Sequence, residues 1–146
     1  MNAEKKRKLI TVVFDEKLRT VLQDFINGDE YGVESAKDGL DAFHKLAKTY
    51  FDLIITDAQM PGLGGVNLLP RLKQIQPWAR VIVIPTRRIK RRERQIVESA
   101  ADACLEKPFE LNQLKTIIQG LFPPPENEVI STEEGWKRGH LSWQLG

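Results

Sequence analysis

The stretch Phe51-Asp52-Leu53-Ile54-Ile55-Thr56-Asp57-Ala58-Gln59-Met60-Pro61-Gly62 decides the fold. Residues 53–56 are an unbroken apolar and β-branched run. Such a run predicts a strand buried on both faces, as in a parallel sheet, because a half-exposed strand alternates apolar with polar. The run ends in a carboxylate, Asp57, and enters a loop rich in proline and glycine, residues 60–65. Val66, Leu69, Leu72 and Ile75 then recur at helical spacing until Pro77 stops them. Strand, acidic turn and helix follow one another in a single unit.

The same unit recurs on either side. Residues 9–14 form a first apolar run, with Leu18, Val21, Leu22, Phe25 and Ile26 as a helical stripe that Asn27-Gly28 ends. Residues 33–36 predict a second strand, and Asp38 caps a helix carrying Leu40, Phe43, His44 and Ala47. Downstream of Pro77, residues 81–84 predict a fourth strand and residues 87–100 a charged helix with a thin apolar face of Ile89, Ile96 and Val97. Residues 103–105 are a short fifth strand, and Leu111, Leu114, Ile117, Ile118 and Leu121 mark a fifth helix. Five strands alternating with five helices imply right-handed βαβ units and an α/β fold with a parallel sheet.

The chain has 146 residues and a formal net charge of +2, enough for one domain with a sizeable core and no global charge to dictate a partner. Domain boundaries are expected at residues 1–122, with 123–146 a tail or the start of a linker after Pro123-Pro124-Pro125. That tail carries Trp136 and Trp143 and is either flexible or a segment that docks. One cysteine, Cys104, excludes an intrachain disulfide and reads as a small buried apolar residue. His44 and His140 lack metal-ligand spacing and are assigned to the surface. Residues 9–14 end in Asp15 without a small-residue cleavage site, so no signal peptide is expected. No apolar run approaches the roughly 20 residues of a membrane span. A cytoplasmic chain without membrane contact is the expectation.

Ligands of open parallel sheets bind outside the carboxyl ends of the strands. Here those ends carry Asp15-Glu16, Asp57, Pro85-Thr86 and Lys107-Pro108. Carboxylates brought together repel one another, and a hard cation relieves that; Mg²⁺ suits one or two carboxylates plus phosphate oxygens and waters. A carboxylate can attack phosphorus to form an aspartyl phosphate, with a metal and a lysine neutralising the phosphoryl oxygens.

The 51–62 segment, continued by Gly64-Gly65-Val66-Asn67-Leu68-Leu69 and joined to Lys107-Pro108-Phe109, resembles the phosphorylation-site pattern of response regulator receiver domains over residues 8 to 122. The resemblance implies a flavodoxin-like (βα)5 fold with strand order 2-1-3-4-5 and a cis bond before Pro108. It implies Asp57 as phosphoryl acceptor, Asp15 and the backbone carbonyl of Gln59 as further Mg²⁺ ligands beside Asp57, and Lys107 as the phosphoryl contact. It also implies a histidine kinase or phosphotransfer protein as donor. The output is a downstream protein bound through the face of the fourth helix, fifth strand and fifth helix, and self-association there stays open. This is a two-component signalling role rather than an enzyme, with at most weak self-dephosphorylation.

Three positions depart from the family pattern. Phe14 stands where the first acid of a pair is usual, which should weaken Mg²⁺ binding, with Glu16 a partial substitute. Phe14 itself is expected in core packing or as a lid. Pro85 takes the place of the switch hydroxyl, leaving Thr86 one residue later. Cys104 replaces the switch aromatic. These departures support an alternative, a pseudo-receiver that binds partners without phosphorylation. A flavin protein or small enzyme of the same fold is disfavoured, because no glycine-rich phosphate loop follows the first strand. Arg87, Arg88, Lys90, Arg91, Arg92 and Arg94 form a basic run that suits an acidic protein or phosphates, or is simply solvated. No DNA-binding module accompanies it, so sequence-specific DNA binding is not expected.

Overall fold

The computed structural model describes residues 6–28, 30–57, 68–85 and 88–122. Five strands, β1 (Arg7–Val12), β2 (Tyr31–Ala36), β3 (Leu53–Thr56), β4 (Arg80–Val83) and β5 (Ala103–Cys104), alternate with α1 (Glu16–Ile26), α2 (Gly39–Lys48), α3 (Leu68–Ile75), α4 (Arg91–Ala100) and α5 (Leu111–Leu121). All strands are parallel in the order β2-β1-β3-β4-β5. The expected α/β fold and strand order are both present.

Because side chains alternate across a strand, each strand feeds two cores. Ile10, Val12, Ile54, Val81 and Val83 pack under α2, α3 and α4, with Leu46, Leu72 and Val97. Leu9, Val13, Leu53, Ile55 and Ile82 pack under α1 and α5, with Leu22, Leu114 and Ile118. Burial on both faces explains the unbroken apolar runs. Among the described residues, no helix is long and apolar enough to cross a membrane.

Boundaries differ from expectation at several ends. β1 begins two residues early, where Arg7 and Lys8 pair with Tyr31 and Gly32, and it ends at Val12. β2 likewise starts at Tyr31 rather than at residue 33. β4 is displaced by one residue, although the Ile84 N–H still donates to Thr56 O at 2.8 Å. β5 closes at Cys104, one residue short. The largest difference is α4, which starts at Arg91 rather than at residue 87. Ile89 is buried ahead of the helix. The Glu93 carboxylate accepts from the Lys90 N–H at 2.9 Å, which sets the helix start there.

Candidate phosphoryl-acceptor site

One row of the sheet aligns the strand ends. Ala36 pairs with Val12, Val12 with Thr56, Thr56 with Val83, and Val83 with Cys104. Asp57 lies one residue past this row, and Asp15 and Lys107 lie three residues past it on β1 and β5. Phe14 and Pro85 are two residues past it. The parallel register therefore brings Phe14, Asp15, Asp57, Pro85 and Lys107 to a single edge of the sheet.

Asp57 is buried, with 3% of its surface exposed. Its N–H donates to Val12 O at 3.1 Å, and its carbonyl accepts from the Thr56 hydroxyl at 3.2 Å. The acidic residue is thus fixed by the β1–β3 ladder rather than carried by a loose loop.

Asp15 is the N-cap of α1. Its Oδ1 accepts from the N–H groups of Lys17 at 2.9 Å and Leu18 at 3.3 Å, satisfying two of the helix's unpaired donors. Glu16 opens α1 and is exposed. Arg19, which the sequence did not single out, donates its Nη1 to Val13 O at 2.7 Å and Phe14 O at 3.3 Å. It clamps the turn that carries Asp15, and a lone arginine in the first turn of a helix gave no signal of that. Phe14 is 61% exposed, which rules out core packing. The chain has already left the sheet at Val13, so the next side chain has no core to enter.

Across the sheet, Pro85 is buried just after β4. Lys107 is exposed and precedes Pro108 through the expected cis bond. Cys104 is buried in β5, and burial, with Glu106 adding to it, pushes its thiol up to about 12. It is a neutral packing residue, as the sequence suggested. His44 is exposed, also as expected. Gln59, Thr86, Arg87, His140, Trp136 and Trp143 lie outside the described residues.

Asp57 and Asp15 supply only oxygen donors, a set suited to a hard cation such as Mg²⁺. Among the described residues, no three His, Cys, Asp or Glu side chains gather into a metal cage. Few protein ligands are compatible with Mg²⁺, which retains several waters.

The sequence profile of the response regulator receiver domain matches residues 10–119. The sensor histidine kinase RcsC of Escherichia coli is 32% identical over 111 residues, covering 75% of this chain and 12% of that protein. Protein PetR of Rhodobacter capsulatus is 36% identical over 138 residues, covering 94% of this chain and 57% of that one. The chain thus spans only part of these relatives. Among solved structures, a receiver domain protein from Methanospirillum hungatei superposes with a TM-score of 0.74 at 17% identity, covering 94% and 99% of the two chains. The Thermotoga maritima response regulator TrrA, solved with Mg²⁺ and a beryllofluoride group, superposes at 0.68 with 24% identity over 80% of this chain and 99% of that one. At these identities the structural likeness speaks for the fold. The profile match, over most of the chain, speaks for more: the chain belongs to the response regulator receiver domain family.

Proposed function

We propose that this receiver accepts a phosphoryl group on the Asp57 carboxylate from a phosphohistidine of a histidine kinase or phosphotransfer protein. The observation that carries the reading is the placement of buried Asp57 one residue past the aligned row, with Asp15 beyond the end of β1 and Lys107 beyond the end of β5 at the same edge of the sheet. The P–N bond of the donor breaks as an Asp57 oxygen bonds to phosphorus, and the histidine keeps the electron pair. Lys107 meets the phosphoryl oxygens with its ammonium, a task its exposure permits. Asp15 and Asp57, with the Gln59 carbonyl, would hold Mg²⁺. Bound there, Mg²⁺ supplies charge neutralisation on the phosphoryl oxygens. Asp15 caps α1 through Oδ1, so Oδ2 is the oxygen to offer the cation. With Phe14 in place of a second acid, affinity for Mg²⁺ is reduced, and exposed Glu16 offsets part of the loss.

Thr86 is the hydroxyl assigned to the phosphoryl group, in place of the one lost at Pro85. The chain acts in the cytoplasm as a signalling acceptor rather than an enzyme, with at most weak self-dephosphorylation. Residues 1–122 are the functional unit, and its output is a downstream protein bound by the α4-β5-α5 face.

The pseudo-receiver reading draws on specific observations: buried Pro85 has no hydroxyl, and buried Cys104 no ring to swing. Beryllofluoride separates the two. With Mg²⁺ present, wild type should give a bound fluorine NMR signal that Asp57→Ala loses. An absent signal in wild type would favour constitutive binding.

A further inference from the structure

The geometry points to the start of α4 as a docking surface for an acidic protein segment. This inference rests on the output-face reading above and deepens it by giving the partner a chemistry. The helix is anchored by one side only: Ile89 ahead of it and Val97 within it are buried, and Ile96 and Ala100 pack against the same core. The other side is entirely polar. Arg91, Arg92, Arg94, Gln95, Glu98 and Ser99 are exposed, as are Arg88 and Lys90 just before the helix. A face with no apolar side chain gains little from hydrophobic burial, so charge must do the recognising.

Its charge is divided along the axis. The first turn holds three arginines, of which Arg94 pairs with Glu106 at 3.4 Å, and Glu98 stands further along the helix. Glu93 folds back along the chain to accept from the Lys90 N–H at 2.9 Å and is half-buried. Arg91 and Arg92 have no ion pair within 4 Å among the described residues. The positive patch on the helix is thus about one turn, roughly 5 Å, long. A nucleic-acid backbone continuing along the helix would meet Glu98. A short run of carboxylates ends where the patch ends, and each guanidinium can hold a carboxylate through two parallel hydrogen bonds.

The test uses the full chain and a fluorescein-labelled peptide carrying three consecutive glutamates between glycine-serine flanks, read by anisotropy at low and near-physiological salt. Binding should weaken at least tenfold as salt rises, and Arg91→Glu/Arg92→Glu should abolish it. Lys48→Glu/Arg71→Glu makes the same charge change at exposed positions on α2 and α3, away from the output face, and should leave binding within about twofold of wild type. Asp57→Asn should bind the peptide like wild type, so loss of phosphoryl acceptance and loss of docking are read separately. Three results would overturn the inference: no peptide binding, equal loss in the two double variants, or a short DNA duplex binding wild type more tightly than the peptide does.

Discussion

Asp15 has two roles that substitution can separate. It caps α1 through two backbone N–H groups and is proposed to ligate Mg²⁺. Asparagine caps a helix as well as aspartate but carries no charge. Asp15→Asn should therefore keep the denaturation midpoint and lose Mg²⁺ affinity, whereas Asp15→Ala should lose both, the cap costing about 1 kcal/mol. Urea melts and Mg²⁺ titrations check this, and unchanged Mg²⁺ affinity in Asp15→Asn would remove Asp15 from the metal site. Cys104 gives a second residue-scale test. Its thiol is pushed from 9.0 to about 12, so between those values the folded protein holds a proton that the unfolded chain releases. Stability from this group is intact below about pH 9 and is lost as pH climbs toward about 12. Cys104→Ala should flatten that part of the stability–pH curve relative to wild type. Parallel curves over pH 9 to 11 would contradict a protonated buried thiol. The identity of Cys104 as packing was legible in the sequence, but its raised titration was not, since burial depends on β5 joining the sheet beside β4 and α4 covering it.

At the scale of elements, Gln76 ties three of them together. Its Oε1 accepts from the Phe51 N–H at 2.8 Å, and its Nε2 donates to Leu46 O at 2.9 Å and Thr49 O at 2.6 Å. The end of α3 is thereby fixed to the end of α2 and the approach to β3, the strand that carries Asp57. Gln76 is 1% exposed, so Gln76→Ala leaves buried backbone groups unpaired and should cost about 3 kcal/mol in chemical denaturation. A loss under about 1 kcal/mol would show that the tie is replaced, by water or by rearrangement. Sequence pattern could not single out this glutamine, because its partners are backbone atoms distant along the chain. β3, by contrast, was legible residue for residue: an unbroken apolar run can only be buried on both faces. The start of α4 was misplaced because arginines and lysines suit a helix, and nothing in their pattern shows that Ile89 is drawn into the core first.

For the molecule as a whole, periodicity argued for a parallel α/β sheet, while the strand order came from the family resemblance and is borne out. The gathering of Asp15, Asp57 and Lys107 at one edge follows from register, which no single segment reveals. Thr86 and Gln59 fall outside the described residues, and so does the tail with its two tryptophans. The claim on which the rest depends is that Asp57 takes the phosphoryl group. Incubation with Mg²⁺ and acetyl phosphate, followed by intact mass, tests it on wild type and Asp57→Asn together. The expected result is a gain of one phosphoryl group in wild type and none in the variant. A gain that survives in Asp57→Asn, or none in wild type, would contradict the assignment.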